Sequence, residues 1–227
     1  MKKILSIIIL LCFISCNNTT SVTVKEENAV QQVLNFYNGE CLRSKGVKSE
    51  NGNNKSYFEL EMSKSELLNA KSKNLKTHSA NIAYLFYSNL DEEKKNYQEI
   101  KVKIILDNGT NQQFLYSNIE LSEVEKLQLY RNEIINKITG KEYEKLLSLF
   151  DKAINIDAKN IENLFATLEN QYGKINKIQS QGFEFRETNN YGNVIVMKEA
   201  VVFEKIVLSM NLIIKRENSK LISIEFE

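Results

Sequence analysis

The sequence of 227 residues has no proline, no tryptophan, a single histidine and three cysteines. The first two absences accompany heavy use of Asn, Lys and Ile, a compositional bias from which no function follows. One histidine and so few thiols exclude a closed Cys/His zinc site within the chain, and no metal or other cofactor is expected. A Ser-His-Asp or Cys-His arrangement would have to use His78 itself; beside Thr77 and Ser79 it is expected at a helix start, in a capping or surface role. Charge of one sign is also lacking, since 30 basic residues face 29 acidic ones. No stretch after Lys3 concentrates positive charge without dilution by Glu or Asp, which argues against nucleic acid or an anionic bilayer as an electrostatic partner.

Long apolar runs are missing too. The longest, Ile4 to Ile14, covers about 11 residues, whereas spanning a hydrocarbon core takes roughly 20. Hydrophobic residues at 42% and charged residues at 26% are those of a globular chain, which excludes wholesale disorder and a multi-span membrane protein. The length suits one large domain or two small ones.

The first sixteen residues, MKKILSIIILLCFISC, combine a basic start, the apolar run and a small residue before Cys16. This is the three-part plan of a secretory signal. Its end, Phe13-Ile14-Ser15-Cys16, resembles the lipobox of bacterial lipoproteins, with Phe13 where Leu is usual. The resemblance implies cleavage after residue 15 and a diacylglyceryl group on the Cys16 thiol. Two or three acyl chains hold a protein at a membrane surface without crossing it. In a Gram-negative host, Asn17 after the cysteine would, by resemblance to the enteric sorting rule, send the protein to the outer membrane. Loss of Lys2 and Lys3 with the leader leaves 28 basic residues of the original 30, against 29 acidic. Residues 16–25 are polar and aperiodic, a tether reaching up to roughly 30 Å. With Cys12 removed and Cys16 acylated, Cys41 is left as a buried small hydrophobe or as an intermolecular or reactive thiol.

Two small α+β domains are expected, over 26–121 and 122–227. In the first, Val30, Val33, Leu34 and Tyr37 mark one helical face ending at Asn38-Gly39. Residues 44–56 read as a polar loop, Tyr57 to Met62 as a strand, and Ser79 to Leu90 as a helix. Ile100, Val102, Ile104 and Leu106 alternate with Lys101 and Lys103 as in a half-buried strand. Asp107-Asn108-Gly109 then turns the chain into Gln112 to Tyr116. Ser122 and Glu125 fit a capping box for a long helix that reaches about Ile138 and is stopped by Thr139-Gly140.

In the second, Tyr143, Leu146, Leu147 and Phe150 make one helix face, and Ile161, Leu164, Phe165, Leu168 and Tyr172 another, capped by Gly173. Runs at 174–187, 192–204, 206–216 and 220–227 predict a four-stranded antiparallel meander. A bulge or bend is expected in the second run, where the apolar set is read as changing face at Lys198-Glu199-Ala200. From Gly140, Tyr143, Phe150, Tyr172-Gly173 and Phe203, residues 133–227 resemble the cone-shaped superfamily of nuclear-transport-factor-like and cystatin-like α+β domains. The resemblance implies helices packed on a curved sheet around a pocket, lined by Tyr143, Phe165, Tyr172 and Met210 if they do not simply fill the core.

No catalytic residue is carried over from that superfamily. Glu184 and Arg186, alternating with Phe183 and Phe185, are expected on a wet face, and Lys198-Glu199 at the polar edge of the bend. The functional expectation is a lipid-anchored cell-envelope protein that binds a small apolar ligand, a peptide or an envelope protein without catalysis. The alternative is an enzyme using carboxylate or Tyr chemistry in a cone pocket, which would require Glu199 or Lys198 to point into an enclosed cavity beside a second polar group.

Overall fold

The computed structural model describes residues 22–50 and 52–227; the leader, Cys16 and most of the expected tether lie outside the described residues. The chain is α+β, with two four-stranded sheets. Helix α1 (Val24–Tyr37) starts at Thr23, whose hydroxyl accepts from the Glu26 amide while the Glu26 carboxylate accepts from the Thr23 amide. Glu26, Ala29, Val30 and Val33 form its buried stripe at the i, i+3, i+4, i+7 spacing of a core-facing helix, and Tyr37 continues it.

Strands β1 (Glu40–Glu50) and β2 (Asn53–Ser63) follow as a hairpin. Much of that hairpin occupies the stretch read from the sequence as a loop. The physical reason is the inward chemistry of β1. Its residues opposite buried Leu60 and Phe58 are Arg43 and Lys45. They pair with Glu27 at 2.7 Å and Glu26 at 2.9 Å on α1 instead of presenting an apolar period.

Helix α2 (Glu66–Ala70) and a single 3-10 turn lead into α3 (Leu75–Ser88), which starts earlier than the sequence indicated. Strands β3 (Glu99–Ile105) and β4 (Asn111–Ser117) complete the first sheet in the order β1-β2-β3-β4, with β2 and β3 parallel. A parallel pair needs a crossover, and α3 lies within it.

Helix α4 (Asn118–Thr139) grows directly from β4. Its capping box is Ser117 with Glu120 rather than Ser122 with Glu125. Both pairs fit the same four-residue pattern. Because β4 runs through Ser117 without a loop, the earlier pair sits at the helix end, and Glu125 binds Lys94 instead at 2.6 Å. After α5 (Tyr143–Leu147), helix α6 (Ala158–Tyr172) is capped by Asp157 and ends at Gly173 with φ +86.

Strands β5 (Ile175–Thr188), β6 (Gly192–Phe203), β7 (Val207–Lys215) and β8 (Lys220–Phe226) form an antiparallel meander. The expected break falls one strand away: the extra residue is Gln181 on β5, opposite Lys198 and Glu199. In β6 the alternation continues unbroken, and Ile195, Met197, Glu199, Val201 and Phe203 are all buried. One apolar core draws on both sheets and on α1, α3, α4 and α6. Among the described residues, no helix is long and apolar enough to cross a membrane.

Candidate functional site

The contact of α3 with edge strand β5 sets up the site, and Gly182 permits it. At φ +134, a Cβ on this residue would lie 2.4 Å from the Thr77 carbonyl oxygen, so a side chain would push helix and strand apart. Beside this seam opens a cleft of about 360 Å³. One wall is the entry to α3, with Lys71, Asn74, Thr77 and His78. The other is the second sheet, with Gln181 of the bulge, Lys198, Glu199, Ser209 and Glu227; Ala200, Val207 and Leu208 add an apolar lip.

His78 is not at the surface. It is 4% exposed on the buried side of α3. Its Nδ1 lies 3.2 Å from the Tyr37 hydroxyl, which accepts from Asn81 Nδ2 at 2.9 Å and donates to the His78 carbonyl oxygen at 3.3 Å. Burial, reinforced by the positive charge of Lys71, lowers its pKa to about 4, so the ring is neutral at pH 7. Burial likewise pushes the Tyr37 phenol well above its ordinary range. The other half of this polar seam joins Ser79 Oγ to the Tyr116 hydroxyl at 2.6 Å.

Glu199 lies behind the cleft and is fully buried, contrary to its expected place at a polar edge. Arg131 of α4 donates through Nε and Nη2 to its two oxygens, both at 2.5 Å. Burial raises the Glu199 carboxyl, opposed by the guanidinium. Position 199 falls in period with four apolar residues of β6, a signal for an inward carboxylate that the sequence already contained. Its partner, 68 positions earlier, carried no such signal.

Lys198 is half-buried and lies 3.7 Å from Glu184, which also meets Lys76 and Arg186 at 3.2 Å each. Asn211, the register partner of Lys198, donates through Nδ2 to Glu227 at 2.8 Å. Its buried Oδ1 makes no hydrogen bond among the described residues.

The four residues proposed to line a cone pocket occupy two neighbouring places. Tyr143 stacks on Phe165 with centroids 5.9 Å apart, and Phe165 meets Phe226 edge-on at 5.7 Å. Tyr172 packs on Phe203 at 6.0 Å. Phe165 and Met210 are core residues at 1% and 0% exposure. Tyr143 also walls a groove of about 370 Å³ between α5 and α6, floored by Ala158 and Ala166. Cys41 is half-buried, and burial pushes its thiol up to about 12, leaving it un-ionised at neutral pH. Among the described residues, no group of three or more His, Cys, Asp or Glu side chains is placed to hold a metal ion.

Compared with protein-family models, curated proteins and solved structures, the chain matches none.

Proposed function

We propose that this chain is a lipid-anchored cell-envelope protein whose folded part binds a ligand or partner without catalysis, at the cleft between α3 and the second sheet. The cleft's charge pattern carries the binding half of the proposal. The buried titratable groups at its back serve the fold, with Glu199 held at both oxygens by Arg131 and His78 neutral against Tyr37. The half-open groups at its mouth, Lys198, Gln181 and Ser209, face free space beside an apolar lip. A catalytic carboxylate would need a free oxygen to exchange a proton. This favours binding over acid-base chemistry at Glu199.

The address rests on Cys16 and its lipobox resemblance. The lipid places the protein on the outer side of the cytoplasmic membrane, or at the outer membrane of a Gram-negative host. The occupant is a small apolar ligand, a peptide or another envelope protein.

Two measurements test the proposal. Mass spectrometry of the membrane-extracted protein should find acyl chains on Cys16, and Cys16→Ala should release the protein to the soluble fraction. A ligand or crosslinked partner recovered with the native protein should be lost in Val207→Asp, whose site is 57% exposed and therefore tolerates the change without unfolding. Retention by the membrane in the first experiment, or of the occupant in the second, would refute the corresponding half.

A further inference from the structure

His78 combines three properties. Its side chain is almost fully buried, it lines the cleft, and its Nε2 has no hydrogen-bond partner among the described residues. The Tyr37 hydroxyl accepts from Asn81 and has two acceptors for its one proton, the His78 carbonyl oxygen and Nδ1; with Nδ1 as acceptor, the ring hydrogen sits on Nε2. Close by, Lys71 makes no ion pair among the described residues, yet its charge is felt at the imidazole. Asn74, at the start of α3, makes no side-chain capping bond, so the positive end of that helix dipole faces the same space. The opposite wall adds the Gln181 amide, the Ser209 hydroxyl and Lys198.

Resting on the binding site proposed above, we infer that the cleft takes a small monocarboxylate with a short apolar body. Its carboxylate lies between Lys71, His78 Nε2 and the donors of the sheet wall, and its body lies on Ala200, Val207 and Leu208. A single negative charge fits better than a dianion because two carboxylates, Glu199 and Glu227, line the cleft. Glu199 is neutralised by Arg131, whereas Glu227 accepts from Asn211 Nδ2 and pairs with no cation among the described residues. A phosphate dianion would meet that repulsion with one unpaired lysine to offset it.

Because the chain has one histidine, its ring resonances report on this site without ambiguity. The full chain, labelled at the histidine ring and held in detergent micelles, would be titrated with butyrate at pH 7.5. Butylammonium at equal ionic strength serves as control. A saturable movement of the His78 signals with butyrate, absent with butylammonium, is the expected result. The apparent pKa of the ring should rise in saturating butyrate, since the anion offsets the field of Lys71. Lys71→Glu should weaken butyrate binding by about tenfold or more, the scale of one charge-assisted hydrogen bond. Lys73→Glu, an equal charge change on an exposed neighbour outside the cleft, should leave binding as it was. Linear, non-saturating movement, an equal response to butylammonium, or equal loss in both lysine variants overturns the inference. If His78 ignores butyrate while Val207→Asp still releases a bound partner, the carboxylate is wrong and the binding cleft stands.

Discussion

Arg131 and Glu199 show how one residue changes the meaning of another. A buried ion pair contributes little net stability when both members are present, but breaking it leaves a desolvated charge. Arg131→Met should therefore cost about 3–5 kcal/mol in urea unfolding, and much of that should return in Arg131→Met/Glu199→Met. Burial already raises the Glu199 pKa, and loss of the guanidinium raises it further. An acid raised in the folded state contributes stability that is present below its unfolded pKa and lost as pH climbs through the folded one. The single variant should weaken from pH 5 to pH 8 more steeply than the parent; an unchanged pH profile would show that Glu199 is solvated. His78 works in the opposite direction. Its base is depressed to about 4, so below the unfolded value of 6.5 the unfolded chain binds the proton that the folded chain resists. Stability should fall on acidification from pH 6.5 to pH 4 by up to about 3 kcal/mol. In His78→Gln that component should vanish from acid melts.

At the scale of elements, the seam between α3 and β5 depends on the missing side chain of Gly182. Gly182→Ala should cost about 2 kcal/mol or more, since it meets backbone at 2.4 Å as well as an unfavourable φ. Gly109, also at positive φ but facing open space, isolates the strain component, and Gly109→Ala should cost about 1 kcal/mol. Equal thermal shifts in the two variants would mean that α3 yields easily. The helices and the C-terminal meander were legible because each carries its own signal. Examples are the stripe of α1, the cap at Gly173 and the turns at 189–192 and 217–219. The hairpin of β1 and β2 was not, because Arg43 and Lys45 face α1 and satisfy acids there, so the period-2 apolar pattern is absent from an ordered strand. The bulge falls on β5 rather than β6 for a related reason. Glu199 reads as polar edge until Arg131 is seen beside it.

For the whole molecule, the core passes from one sheet to the other. Arg216 of the second half binds Glu123 of α4 at 2.9 and 2.6 Å. The Tyr130 hydroxyl donates to the Leu149 carbonyl and accepts from the Leu221 amide at 3.2 Å. The boundary expected at 121/122 falls inside the first turns of α4, a helix with buried residues along much of its length. Urea unfolding followed by far-UV and near-UV circular dichroism should thus give coincident single transitions. Two resolved steps would show that the halves fold independently despite the shared core.

The sequence by itself determined the α+β class, the second-half meander, the main helices and the lipobox resemblance on which the expected address depends. These properties are written in adjacent residues, whose spacing and caps act within a few positions of one another. Only the tertiary structure decided that His78 is buried against Tyr37, 41 positions away, that Glu199 is an inward carboxylate held by Arg131, and that a polar segment is a strand. A charged or polar group is stable in the interior only when a partner meets it there, and the fold chooses that partner from far along the chain.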